Sequence, residues 1–479
     1  MDYKEKESVA IIGAGPAGCM CAYYASKNAD VTLFDASNPL HTLLYTGGGR
    51  CNLAYGEYDF KELAKFYPRG EKFLYSVFSK FSTADTLNFF DEIGVETYPQ
   101  EDLRIFPTSN SAKDVREKFL NSLKKCKFIK EKVLDVCLLD SFLDCRVGNK
   151  FPPRNDMELE SFTQSVIARR HPSGAEEAIQ NEKVLNIAHY PSLAEGSKSL
   201  ISGESKNAKF QIKTNNNVYY FDKVVIATGG HAGFSLAKNL GHTIIEPKPA
   251  LTGLISAENF KNLQGVSLKD IEARIFYPDK NFAPSCDLRG DLLFTHEGIS
   301  GPLAYKISSI CARLDYNKQN PLVIKLNLIC HANNDEILKR VQDDVRVERF
   351  DFQGMLNANP KKDIKNLIAE FVPKSLAEYV LEINNLDANE KCTNINGQMR
   401  DLILKSLSEF NITVISPAKE GEIITSGGVC LDEIDSKTMQ SKLVNGLYFC
   451  GEVIDVDGFC GGFNLQNCWS TGFIAGVNQ

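Results

Sequence analysis

The order of apolar and polar positions divides the chain into segments of different period. Residues 9–12 (VAII) form a continuous β-branched run, residues 13–18 (GAGPAG) a glycine turn, and an alanine-rich stretch continues to Ser26. A second apolar run, 31–34, stops at Asp35. This pattern predicts strand, tight turn, helix, strand, acid. Phe78, Phe81, Leu87, Phe89, Phe90 and Ile93 fall at helical spacing and predict one helix over 73–93, with another over 112–123 and a strand over 128–139. Runs 210–213 and 218–226 predict a hairpin, the second run ending in ATGG. Short strands with turn residues fill 244–328. Residues 334–410 turn helical, with Ile337, Leu338 and Val341 followed by runs over 364–371, 376–383 and 399–407. After 426 glycine turns and strands return, and a final helix is expected over 464–475, where Gly472 and Gly476 permit close packing.

One stretch breaks the pattern. Residues 140–207 are rich in Ser, Glu, Asn, Lys and Pro, show little periodicity, and read as a polar insertion. The expected segments are therefore 1–139, 208–243 and 426–479, which carry the strands and glycine turns, the 140–207 insertion, a β-rich second domain (244–332 and 411–425) and a helical subdomain (333–410). A chain of 479 residues is long enough for two or three cores.

Composition narrows the classes. With 43% hydrophobic and 24% charged residues the protein is of the soluble globular kind. A net charge of −7 argues against a large non-specific nucleic-acid surface, so no nucleic-acid partner is expected. The basic run KKCKFIKEK (124–132) is short and reads as a solvated face. No apolar run reaches the roughly 18 residues of a membrane span, and the polar N-terminus has no signal-peptide core, so a cytoplasmic protein with no membrane partner is expected. The fourteen cysteines form no C-x-x-C pair and the seven histidines no H-x-x-x-H pair, so no metal site is expected.

Chemistry concentrates at the glycines. In GAGPAG, Gly13 permits the turn, Gly15 leaves room for a pyrophosphate, and Gly18 lets helix and strand approach. The helix start, with Pro16 and Ala17, offers N–H groups and positive dipole to phosphate. Asp35, 17 residues after Gly18, stands where a ribose hydroxyl is bound in dinucleotide folds. TGGGRCN (46–52) clusters Gly48 and Gly49 with Arg50, Cys51 and Asn52. Glycine is costly inside an element, so a run of three implies a close backbone approach. Strand-then-glycine patterns recur at Thr228–Gly229 and Gly451–Glu452, and a glycine-rich helix start at Gly461–Gly462.

Taken together, IIGAGPAG (11–18), TGGGRCN (46–52), RIFPTSNSAKDV (104–115), VVIATGG (224–230), LLFTHEGISGP (292–302), TSGGV (425–429), SKLVNGLYFCGEVIDVDGFCGGFN (441–464) and WSTGFIAG (469–476) resemble the YhiN/BaiN-like NAD(P)/FAD-dependent oxidoreductases, the aminoacetone-oxidase-like flavoproteins. The resemblance spans nearly the whole chain outside the polar insertion. It implies an α/β architecture: a Rossmann-like, glutathione-reductase-like FAD domain, an inserted β-barrel-like domain and a small helical domain. It implies FAD contacts from Gly13, Gly15, Pro16, Ala17 and Gly18 at the pyrophosphate, Asp35 at the adenosine ribose and Val133 at the adenine. It also implies Thr228 and Gly229 along the dinucleotide, Gly451 and Glu452 near the ribityl chain, and Gly461, Gly462, Phe463, Asn464 and Leu465 at the flavin pyrimidine edge. Gly48, Gly49, Arg50, Cys51 and Asn52 become part of the flavin cradle. One departure stands out: where relatives carry Gly-Arg-Lys ahead of the triplet, this chain has His41, Thr42 and Leu43 in that region.

No second G-x-G-x-x-G unit is present, so NADH or NADPH is expected to visit the flavin transiently rather than occupy its own domain. Catalytic candidates are His296, Cys51 and Cys460, with small buried thiols and a hydrogen-bonded turn histidine as the simpler readings. The expected function is an FAD-dependent oxidoreductase acting on a small metabolite. An oxidase of a small amine, a redox-sensing flavoprotein and a flavin-dependent nucleic-acid modifier stand as alternatives. Oligomeric state is not readable.

Overall fold

A computed structural model describes residues 6–139, 208–230, 233–277, 288–330, 350–418 and 424–479. The 140–207 insertion and the expected helical positions Ile337, Leu338 and Val341 lie outside the described residues. The chain divides into two compact units, Met1–Pro247 with Gly427–Gln479, and Lys248–Ser426.

The first unit is built on a five-stranded parallel sheet. Ser8–Ile12 pairs with Asp30–Phe34 on one side and Lys223–Ile226 on the other. Lys127–Ile129 and Leu447–Phe449 close the two edges. The three inner strands are apolar because helices cover the sheet; Val9, Ile11, Val224 and Val225 are fully buried. The helix Pro16–Ala25 starts at once after the glycine turn, with Pro16 in its first turn, where a missing N–H costs nothing. It packs along the final helix, Phe463–Val477. A Cβ on Gly472 would stand 2.5 Å from the Ala17 carbonyl oxygen, and one on Gly476 2.5 Å from that of Cys21. Glycine at both positions sets this approach.

Three expected elements are divided in the structure. The predicted 73–93 helix is two, Glu71–Phe78 and Thr83–Glu92. Ser82 starts the second with a capping box: the Asp85 carboxylate accepts from the Ser82 backbone N–H at 2.8 Å. The 128–139 strand is also two. Lys127–Ile129 extends the parallel sheet, while Val133–Leu138 pairs antiparallel with Phe210–Thr214. The 218–226 run divides at Asp222. Val218–Phe221 completes the hairpin and Lys223–Ile226 enters the parallel sheet. Asp222 fixes the switch by accepting from the Ser8 N–H at 2.8 Å and its hydroxyl at 2.7 Å.

The second unit is a closed six-stranded barrel. Its strands are Leu254–Ser256, Gly298–Ser300, Leu288–Phe294, Ser267–Phe276, Leu322–Asn327 and Phe410–Pro417. Alternation of buried and half-buried positions along Leu322–Asn327 follows the strand period. Helices Phe352–Ala358, Ile364–Ile368, Lys374–Ile383 and Gly397–Ser408 are inserted before the last strand and share the barrel's apolar core.

Candidate functional site

The glycine motifs converge at the carboxyl ends of the parallel strands, where open α/β sheets bind ligands. Gly13 follows Ile12, Asp35 follows Phe34, Ala227 follows Ile226 and Cys450 follows Phe449. Backbone bonds knit these ends: Gly13 N–H to Phe34 O at 2.8 Å, Ala227 N–H to Ile12 O at 2.8 Å and Cys450 N–H to Ile226 O at 3.2 Å. Gly13 has φ +104°, and a Cβ there would collide with the Ala227 carbonyl. A Cβ on Gly18 would collide with the Gly13 carbonyl, and one on Gly451 would stand 2.6 Å from the Ala17 methyl. Glycine at these positions therefore lets three sequence-distant motifs approach one another closely.

Other glycines face open space. Nothing lies within 4 Å of where a Cβ on Gly15 or Gly48 would stand, and at Gly229 the nearest atom is Glu452 Oε2 at 4.0 Å. The backbone at Gly15 is thus free for a pyrophosphate. Asp35 already works locally: one oxygen accepts from the Ala14 N–H at 2.8 Å, the other from the Ser37 N–H and hydroxyl, both at 2.7 Å. Its carboxylate is held in place beside the turn, with lone-pair capacity left for a hydroxyl. Val133 sits half-buried in the separate antiparallel sheet.

Residues Thr42–Gly49 wind as a tight helix broken at the glycines, with left-handed φ at Gly47, Gly48, Gly49 and Cys51. Arg50 lays its guanidinium 4.2 Å from the centre of the Phe106 ring. The Asn52 Oδ1 atom is buried without a hydrogen-bond partner among the described residues. Such an acceptor is costly unless a ligand or water donates to it. The loop ends against the C-terminal motif. A Cβ on Gly462 would stand 2.6 Å from the Ala54 carbonyl oxygen, and the Trp469 indole donates to Leu53 O at 2.9 Å.

At the final helix, Asn464 Nδ2 donates to Gly458 O at 3.0 Å and its Oδ1 accepts from Gly458 N–H at 2.8 Å. Its side chain shapes the loop, leaving the helix N–H groups to meet a ligand. Phe463 is buried in an aromatic cluster, stacked on Phe66 at 4.6 Å, while Tyr67 donates to its carbonyl at 2.6 Å. Leu465 is half-buried beside it. The sequence reading passed over a pair that braces this loop: Arg69 makes a bidentate ion pair with Asp457, which is only 1% exposed. Asp457 lies inside the quoted motif, but its partner stands 388 positions away and no local spacing reveals it.

The catalytic candidates separate. Cys51 is fully buried, and burial pushes its thiol up to about 12, so it is not a thiolate nucleophile. Cys460 is exposed at the loop tip before Gly461–Gly462. His296 belongs to the second unit, with its side chain 63% exposed and 3.8 Å from Glu297. Among the described residues no group of three His, Cys, Asp or Glu side chains could hold a metal, and no helix is long and apolar enough to cross a membrane.

These open glycines, the orphaned Asn52 acceptor and the helix start at Gly462 fit an FAD molecule. Comparison with known proteins agrees. The family model described as the HI0933-like protein Rossmann domain matches residues 7–137 and 192–478. Similarity runs along the full length of curated relatives. The chain is 24% identical to a ribosomal RNA dihydrouridine synthase of Haemophilus influenzae, over 98% of this chain and 97% of that protein. It is 26% identical to the protein of the same name in Escherichia coli, over 98% and 96%. It is 23% identical to a 3-dehydro-bile acid delta(4,6)-reductase of Clostridium scindens, over 98% of both.

Proposed function

The chain belongs to the HI0933-like family, whose members are FAD-dependent Rossmann oxidoreductases, and from that premise we propose that it reduces a carbon–carbon double bond conjugated to a carbonyl, with NADH or NADPH as donor and uridine in ribosomal RNA as substrate. One observation carries this reading. End-to-end similarity reaches two kinds of relative whose named reactions share one chemistry: forming dihydrouridine and reducing the delta(4,6) bonds of a 3-oxo acid both saturate such a bond.

Bound in the cradle, the flavin supplies hydride transfer between nicotinamide and substrate. The chain's own residues do the rest. Gly15 and the helix start at Pro16 take the pyrophosphate, Asp35 and Glu452 hold hydroxyl groups, and Asn52 with the Gly462 helix start binds the polar flavin edge. Saturating the bond adds hydride at the β carbon and a proton at the α carbon. We assign the proton to Cys460, the exposed acid on the loop.

The test is anaerobic incubation of holoprotein and NADPH or NADH with ribosomal RNA, followed by nucleoside mass analysis. Uridine gaining two hydrogens is expected. Cys460→Ser is expected to slow that gain and leave flavin reduction by nicotinamide unchanged. A second reading, a small conjugated ketone or other small metabolite, is favoured by the net charge of −7. It replaces the first if RNA stays unmodified while a small enone is consumed. Peroxide formed from a small amine, with neither substrate reduced, would favour the oxidase alternative.

A further inference from the structure

A chain of net charge −7 binds RNA only if its basic groups are gathered in one place. The geometry points to such a place on the first unit: an open surface cavity of about 450 Å³ whose lysines take RNA phosphates while the uridine is at the flavin, an inference resting on the RNA reading above. The cavity is lined by Lys27, Lys118 and Lys125 with Tyr23 and Glu92. Lys27 follows the first helix, Lys118 lies on Ala112–Ser122, and Lys125 comes from the turn after it. In sequence Lys124 precedes Lys125 and Lys127, Lys130 and Lys132 follow it, all four exposed.

The cations are held in place. The Lys27 ammonium lies 4.5 Å from the Tyr24 ring centre and 4.8 Å from that of Tyr23. Lys118 is 3.0 Å from Asp114, and the lone acid of the lining, Glu92, accepts from the Tyr23 hydroxyl at 3.0 Å. A guard against edge pairing explains lysines in the edge strand Lys127–Ile129, but not Lys27, Lys118 or Lys125, which lie outside it. Position fits a macromolecule. Gly15 caps the start of the first helix and Lys27 lies past its end, roughly 18 Å away at about 1.5 Å per residue. A small substrate at the strand ends does not span that distance. A polynucleotide does, and phosphate contacts of this kind orient it without reading sequence.

The experiment measures fluorescence anisotropy of a labelled uridine-rich RNA hairpin with FAD-loaded full-length protein between about 50 and 200 mM salt. Lys27→Gln/Lys118→Gln/Lys125→Gln is compared with wild type and with an equal charge loss elsewhere, Lys361→Gln/Lys374→Gln/Lys405→Gln. The patch variant is expected to bind about tenfold more weakly at low salt, with a salt slope smaller by about 2, and the control triple to match wild type. Flavin reduction by NADPH stays unchanged in both. A patch variant that binds like wild type, or a control triple that loses as much, overturns the patch and leaves the RNA reading intact. Wild type failing to bind at low salt overturns both.

Discussion

Buried between Glu433 and Ser441, His242 shows how one ionisable side chain ties sequence-distant loops. Its Nδ1 lies 3.0 Å from Glu433 and its Nε2 2.9 Å from the Ser441 hydroxyl, whose oxygen also accepts from the Val444 N–H at 2.8 Å. Burial lowers the His242 pKa below the free value of 6.5, against the raising influence of Glu433. A base whose folded pKa is depressed binds its proton more readily when unfolded. Its contribution is complete above about pH 6.5 and is lost as pH falls. At Glu433 burial raises the pKa, but hydrogen bonds from Thr243 and His242 outweigh it and the net shift is downward. That adds a second loss below the free carboxyl value of 4.5. Thermal melts are expected to fall as pH drops through 6.5, and His242→Gln to flatten that slope; a wild-type melting temperature constant across that range would contradict this account. The Arg69–Asp457 pair makes a second residue-scale prediction. Removing the arginine strips a buried carboxylate of its guanidinium partner, at a cost of about 3–5 kcal/mol. Arg69→Met is expected to unfold at lower denaturant and bind FAD more weakly, read by fluorescence of released flavin. Unchanged FAD retention would show that the pair does not brace the loop.

Among elements, the contact between Pro16–Ala25 and Phe463–Val477 carries the most weight, because it joins the first and last cradle motifs. Gly472→Ala drives a methyl against the Ala17 backbone, costing about 1–3 kcal/mol in a packed interior. The expected result is a lower melting temperature together with weaker FAD binding, since Ala17 lies in the glycine turn proposed to take the pyrophosphate. A melting temperature equal to wild type would mean that the helices part freely. Legibility also differs by element. GAGPAG and the Gly472–Gly476 helix were readable because their signals are local and periodic. The break at Ser82 left a signal too, S-T-A-D over 82–85, but the phenylalanine spacing on either side runs through it. Asp222 carried no local signal, since its partner Ser8 is 214 positions away. Val133–Leu138 changes sheets for the same kind of reason. Only the charged residues Lys130, Glu131 and Lys132 separate it from Lys127–Ile129 in sequence, and long-range pairing puts the two in different sheets.

Across the whole molecule, each unit has its own apolar core, a parallel sheet in one and a barrel in the other. Sequence motifs marked the glycine turns at the ends of the parallel strands and a β-rich second unit, because glycine turns and short strands are written locally. They did not find Arg69, or the gathering of Lys27 and Lys118 with the basic run, which depends on how helices fold back over the sheet. The central claim is that reduced flavin in this cradle passes electrons to a conjugated double bond. Anaerobic stopped-flow absorbance tests it most directly: holoprotein reduced with NADPH, or with NADH, is mixed with uridine-containing ribosomal RNA, and the oxidised-flavin band is followed. Return of the band with RNA, and not with RNA whose uridines are already saturated, is the result the account predicts. A band that returns only on admitting oxygen, with RNA and a small enone both without effect, would contradict it.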